Sequence, residues 1–295
     1  MVNKEQLKDA RAQIDQIDDL LLELLNRRAA LAQQVAVGKK AELGDMADGA
    51  EIIYYRPDRE AQVLGRVCEQ NPGPFPDSAI RTIYREVISA TLALEQPLKV
   101  AYVEQSGGFA SAAAVKHFGR SAVHELVDND RSALQRVVDG SADVAMVAIG
   151  DRPGGLLSQP FSEVVTAGVV PIGELWSDGR WQFDPQIDQK NVSTDSSRST
   201  RLLVLGRQRC EPTGADRTLI VVETESEHQG RSLQAMLGPD AEVVALGDSG
   251  QCCLMVEGHL QDRQVIQWID LLNGHCRSVK VLSSWPAALD DTSDG

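Results

Sequence analysis

KEQLKDARAQIDQIDDLLLELLNRRAALAQQVAVGK (residues 4–39) decides the architecture of the first third of the chain. Apolar or small residues recur at Leu7, Ala10, Ile14, Ile17, Leu21, Leu24, Leu31 and Val35, a sustained heptad stripe. No proline interrupts it, and Gly38 is the first glycine. The spacing predicts one helix from about residue 4 to residue 40, roughly 54 Å long at 1.5 Å per residue. A helix of that length with an apolar seam needs a partner, in its own chain or in a second copy.

The seam is interrupted by charge. Arg28 falls at the heptad position of Leu7, Ile14, Leu21 and Val35, where a cation is costly unless paired. Lys39 lies three turns later near the same face, Arg11 sits on an adjoining face, and Arg59 follows in YRPDRE. Such cations either snorkel and pair with carboxylates such as Asp18, or they build a buried anion site in a helical bundle. Arg11 and Arg28 stand about 25 Å apart along one helix, farther than a small organic dianion reaches. Antiparallel pairing of two copies brings Arg11 of one to Arg28 of the other, so the expectation is a dimer with two shared sites.

Working outward, a second helix is expected from Arg56-Pro57, with proline in its first turn. NPGPFPDS (71–78) is a break, and Asp77 or Ser78 is the expected cap of a third helix ending before Pro97. LKVAYV (98–103) and ADVAMVAI (142–149) then read as strands, with helices near 109–118 and 130–139 between them. Residues 173–199 read as polar and irregular, and RLLVLG (201–206) as another strand. TLIVVET (218–224), a helix near 228–237, AEVVAL (241–246), CCLMVEG (252–258), a helix near 261–273 and SVKVLS (278–283) make a βαββαβ, ferredoxin-like unit. The expected fold class is an all-helical domain at 1–97, a small α/β lobe at 98–212 and the ferredoxin-like unit at 213–295. The closing DDTSDG is expected to fray.

Composition excludes several roles. The 295 residues carry 29 Lys and Arg against 43 Asp and Glu, a net charge of −14. A surface that negative repels phosphate backbones, so no nucleic-acid or anionic-membrane partner is expected. No apolar run is long enough to span a bilayer, and MVNKEQLKDARAQID lacks the apolar core of a signal peptide, so a cytoplasmic location is expected. The odd set of Cys68, Cys210, Cys252, Cys253 and Cys276 reads as reduced thiols. Cys252 and Cys253 fall on opposite faces of a strand, and His259, His275 and Cys276 follow no zinc spacing, so no metal site is expected. Gly107-Gly108 lacks a full phosphate-loop fingerprint and reads as a turn.

The run R-x-x-I-D-x-I-D-x-x-L-L-x-L-L-N-x-R (Arg11 to Arg28), Gly38-Lys39, YRPDREAQVL (55–64) and ATLALEQPLKVAY (90–102) together resemble an all-helical chorismate mutase. In detail they are similar to the mutase domain of the bacterial bifunctional chorismate mutase–prephenate dehydratases. The resemblance implies that Arg28, Arg59 and a second copy's Arg11 grip the two carboxylates of chorismate. It implies that Lys39 and Glu95 face the ether oxygen, that Glu60 holds the ring hydroxyl, and that Thr91 stands where some members have Ser. The implied reaction is the pericyclic conversion of chorismate to prephenate, which needs no nucleophile, metal or cofactor. Restraint and donors aimed at the breaking C–O bond suffice. Glu95 can donate to an ether oxygen only when protonated, so burial must raise its pKa against the pull of Lys39. Turnover is therefore expected to fall as pH rises through neutrality, and Glu95→Gln to flatten that profile.

The remainder resembles the dehydratase part of the same family, with losses. The dehydratase Gly-Pro-Glu-Gly-Thr-Phe-Ser loop reads Glu104, Gln105, Ser106, Gly107, Gly108, Phe109, Ala110, and the Pro-x-Glu-Asn-Ser-x-x-Gly segment reads Ala148 to Gly155. STRLLVLG (199–206) resembles the Thr-Arg-Phe motif, which makes Thr200 the counterpart of the catalytic threonine. The family places a whole second lobe between these segments, and residues 172–199 cannot supply it. Thr200 is therefore expected to be vestigial. The final unit resembles an ACT domain, but its Pro-Gly-Ala-Leu loop reads Gln229, Gly230, Arg231, Ser232, Leu233, and Glu-Ser-Arg-Pro has no counterpart near Leu246 to Ser249. The expectation is a homodimeric chorismate mutase with an inactive dehydratase-like lobe. The alternatives are a bifunctional mutase–dehydratase, a non-catalytic scaffold, and a mutase for 4-amino-4-deoxychorismate.

Overall fold

The computed structural model describes residues 3–44, 54–104, 109–149, 168–177, 200–225, 227–246 and 250–287. Three helices come first: α1 (Lys4–Gly44), α2 (Pro57–Glu69) and α3 (Asp77–Ala93). α1 runs four residues past its expected end. Pro57 occupies the first turn of α2, where its missing N–H costs nothing. The expected cap of α3 is corrected. Pro76 holds the cap position without a side-chain bond, and Asp77 is already helical, accepting instead from Asn71 Nδ2 at 2.7 Å.

α1 meets its own chain along a narrow strip. Arg28, Ala29, Ala32 and Ala36 are its more covered positions, one stripe at helical spacing whose alanines let the helix approach α3. The heptad seam points elsewhere. The large apolar residues of α1, Leu7 through Val37, remain 45–67% exposed.

A five-stranded sheet follows, built from β1 (Lys99–Val103), β2 (Val123–Val127), β3 (Val144–Ile149), β4 (Val170–Ser177) and β5 (Thr200–Gly206) in the order β2-β1-β3-β5-β4. β1 pairs parallel with β2 and β3, whereas β5 runs antiparallel to β3 and β4. Helices α4 (Phe109–Phe118) and α5 (Asp130–Val138) connect the parallel strands. Two strands depart from the expected pattern. β2 was not expected at all, and the start of the stretch expected to be irregular, 173–177, lies within β4. Residues 105–108 and 178–199, with the Gly107-Gly108 turn, fall outside the described residues.

The last unit contains β6 (Asp216–Glu223), α6 (Glu227–Leu237), β7 (Ala241–Leu246), β8 (Gln251–Glu257), α7 (Arg263–Asn273) and β9 (Ser278–Pro286). Its strands pair antiparallel in the order β7-β8-β6-β9, the ferredoxin-like arrangement the element order predicted. Strand alternation divides its faces. Ile220, Val222, Cys252 and Leu254 pack under α6 and α7, while Leu219, Cys253, Met255, Leu282 and Trp285 join the core of the five-stranded sheet. All five cysteines are free thiols. Burial raises the pKa of Cys252 to about 11 and that of Cys253 to about 12, which makes both poor metal ligands and nucleophiles.

The helical domain is packed into this core. Tyr55, just before α2, lies edge-on to Phe118 with ring centroids 5.6 Å apart. Gly119 ends α4 at φ +77°, and a Cβ there would stand 2.4 Å from the Cβ of Ser89 on α3. Only glycine permits both that conformation and that approach.

Candidate active site

The seven residues expected to form the site fall into two groups. Arg28 and Thr91 are joined directly: the Arg28 Nη1 donates to Thr91 Oγ1 at 2.8 Å, and that hydroxyl donates in turn to the Val87 carbonyl at 2.6 Å. The alanine stripe brings α1 close enough to α3 for this bond. Partial burial lowers the Arg28 pKa from its usual value, with Tyr84 opposing. A guanidinium remains charged regardless.

Glu60 lies on α2 with only 12% of its side chain exposed, facing Arg85 of α3 at 4.0 Å. Burial pushes its carboxyl up to about 7, and the Arg85 guanidinium pulls in the opposite direction. Glu95 sits half-buried in the turn after α3, where its N–H donates to the Leu92 carbonyl at 3.0 Å. Arg11, Lys39 and Arg59 are exposed, and Arg59 reaches Gln62 at 3.3 Å. The seven positions thus lie partly within and partly above the helical layer. Arg28, Thr91, Glu60 and Glu95 are set in the helical layer, and three cations project from it.

Sequence reasoning missed the groups behind Glu60. Arg85 is as buried as Glu60. His117 of α4 receives or donates a bond at Tyr55 Oη, 3.3 Å away, and burial with the Arg85 charge presses its pKa down to about 3. The imidazole is thus neutral. Asp58, two residues before Glu60, is 1% exposed and accepts from Arg56 Nε at 2.9 Å and Nη2 at 2.5 Å. The Arg56-Asp58 spacing was an available signal. The pairing of Glu60 with Arg85 across helices was not visible.

The expected dehydratase residue Thr200 begins β5, and its side chain lies outside the described residues. Its neighbour Arg201 faces inward instead of toward a ligand. It reaches Glu242 at 2.8 Å and Glu174 at 3.6 Å, and Glu174 also receives Arg217 at 2.8 Å. The Glu174 side chain has no exposure, so this ion group staples β5 and β4 to the ferredoxin-like unit. Of the ACT-like loop, Ser232 is exposed and Leu233 buried, while the side chains of residues 229–231 lie outside the described residues. Among the described residues no cluster of His, Cys, Asp and Glu has the form of a metal site. Among them, too, no helix is long and apolar enough to cross a membrane.

Comparison with known proteins agrees with the helical geometry. Residues 10–96 match the family model of chorismate mutase type II. The chain is 36% identical to the bifunctional chorismate mutase/prephenate dehydratase of Pseudomonas aeruginosa over 175 residues, which is 59% of this chain and 47% of that protein. It thus spans about half the length of that relative. Its similarity to the protein of the same name from Stutzerimonas stutzeri covers 98% of this chain and 100% of that one at 25% identity. That alignment runs over 371 residues, more than this chain has, so the relative contains sequence that this chain lacks. Among solved structures, a prephenate dehydratase from Arthrobacter aurescens in complex with L-Phe covers 64% of this chain and 90% of its own, at 17% identity and a TM-score of 0.42. Residues 10–96 of this chain therefore carry the match to chorismate mutase type II, and the chain as a whole is similar in sequence to the bifunctional chorismate mutase/prephenate dehydratases.

Proposed function

We propose that the chain is a homodimeric chorismate mutase that converts chorismate to prephenate in aromatic amino acid biosynthesis. Arg28 and Arg59, with Arg11 of a second copy, bind the two carboxylates. Lys39 and Glu95 face the ether oxygen, Glu60 holds the ring hydroxyl, and Thr91 fixes the rotamer of Arg28. The bound enol ether is folded so that its ends meet, one C–C bond forms as the C–O bond breaks, and the cation and acid stabilise charge on the departing oxygen. No covalent intermediate is involved.

The observation that carries this reading is the match over residues 10–96, which spans all seven of these positions. The exposed apolar seam of α1 supports the dimer. A row of large side chains 45–67% exposed along a 41-residue helix is the face a second copy covers. The dehydratase-like lobe is proposed to be inactive, because Arg201 is committed to Glu242 and Glu174. Steady-state turnover of chorismate by the purified chain tests the mutase. Incubation with prephenate, followed by assay for phenylpyruvate, tests the dehydratase. Phenylpyruvate formed at a rate matching the mutase step would replace this reading with the bifunctional one.

A further inference from the structure

The α/β portion of the chain has no chemistry in the proposed reaction, yet it holds the helix that carries Arg59 and Glu60. The geometry points to Asp58 as a positioning residue, through which the Cys210–Glu211 segment sets the first turn of α2 for substrate binding. This inference rests on the mutase reading and gives the remaining two hundred residues a part in it.

Glu211 lies between the two sheets, and its backbone N–H donates to Asp58 Oδ2 at 3.2 Å. The donor is itself fixed from both sides. Cys210 is buried, with its thiol donating to the Ile172 carbonyl of β4 at 3.5 Å. The Cys210 carbonyl faces His259 Nε2 at 3.4 Å, in the corner between β8 and α7. His259 is 2% exposed, and the Gln261 N–H donates to its Nδ1 at 3.2 Å. Nδ1 is therefore the acceptor, and Nε2 carries the hydrogen given to Cys210. One peptide thus joins β4, the ferredoxin-like unit and α2.

On the helix side, Asp58 is the second residue of α2, directly before Arg59 and Glu60. Its other bonds come from Arg56 and from the Arg59 N–H, on the same segment, so they cannot orient the turn relative to the rest of the fold. The Glu211 N–H can. Tyr55 adds a second hold through His117. A shift at the β8–α7 corner moves Cys210 and, through Asp58, the two side chains proposed to grip a carboxylate and the ring hydroxyl.

Glu211→Pro isolates the contact. It deletes the N–H without touching the helical domain, and Glu211→Ala keeps the N–H while removing the same exposed side chain. In the full-length chain, Glu211→Pro is expected to raise KM for chorismate about tenfold with kcat within about twofold, because ground-state grip is what is loosened. Glu211→Ala should match wild type. Hydrogen exchange at the amides of residues 59–62 should quicken in Glu211→Pro alone, a readout that does not depend on chorismate. If Glu211→Pro fails to fold, Asp58→Ala, which leaves the Glu211 N–H without an acceptor, is expected to give the same rise in KM. Wild-type KM and unchanged exchange in Glu211→Pro, or wild-type KM in Asp58→Ala, overturns the inference while leaving the mutase intact. A wild-type chain without turnover instead overturns the mutase reading, and the exchange result then decides the contact separately.

Discussion

Glu60 and Arg85 face each other across α2 and α3 at 4.0 Å, each with 12% of its side chain exposed, and the carboxyl nonetheless titrates near 7. Desolvation outweighs a single guanidinium at that distance. The folded state then binds more protons than the unfolded state between the ordinary value of 4.5 and about 7. Glu60 therefore removes stability as pH rises through that window, by at most ~3.5 kcal/mol at about 1.4 kcal/mol per unit. Urea unfolding of Glu60→Gln from pH 4.5 to 7.5 should lack that decline. An identical slope in the variant would place Glu60 in solvent.

His117 acts with the opposite sign. Its pKa falls from 6.5 to about 3 on folding, so the unfolded state binds the extra proton in that window. Stability is fully present above 6.5 and is lost as pH falls, by up to ~5 kcal/mol. His117→Gln should move the acid-unfolding midpoint down, while Tyr55→Phe, which keeps the ring contact with Phe118, should leave it nearly unchanged. Circular dichroism against pH measures both.

The buried Glu174 carboxylate, held between Arg201 and Arg217, should be structural. Glu174→Gln leaves two arginines without their shared charge and is expected to cost about 3 kcal/mol. Chorismate KM and kcat should be nearly unchanged below the new melting temperature. A variant with wild-type stability would show that the ion group contributes nothing.

Shared sites have a signature of their own. Arg11→Ala and Arg28→Ala chains should each be nearly inactive. When the two are unfolded together and refolded, heterodimers contain one intact site, which restores about a quarter of wild-type activity by random pairing. No recovery on mixing would mean that Arg11 and its Arg28 do not meet across a dimer.

Much of the fold was legible because it follows single-segment periods. The heptads of α1 and the alternation of β6 to β9 are written in consecutive residues. β2 and β4 were not legible for reasons the structure makes plain. VHELV lies at the sheet edge with Val123 and Leu126 exposed, so its apolar alternation is lost. VPIGELWS contains a proline, a glycine and a glutamate that read as loop, and the glutamate is buried only because arginines from β5 and β6 reach it. At the site, the cations stood out as charges on an apolar stripe. Arg85, His117 and the Glu211 N–H did not, because their meaning depends on partners brought together by tertiary packing.

The central claim is that Arg28, placed by Thr91, helps bind and rearrange chorismate. Thr91→Val removes the acceptor and should lower kcat/KM about tenfold. The most direct measurement is turnover of chorismate by wild type and Arg28→Ala side by side. The account predicts steady conversion to prephenate by wild type and a fall of about 10²–10³ in kcat/KM for the variant. Chorismate left unconverted by the wild-type chain, or equal rates for the two, would contradict it.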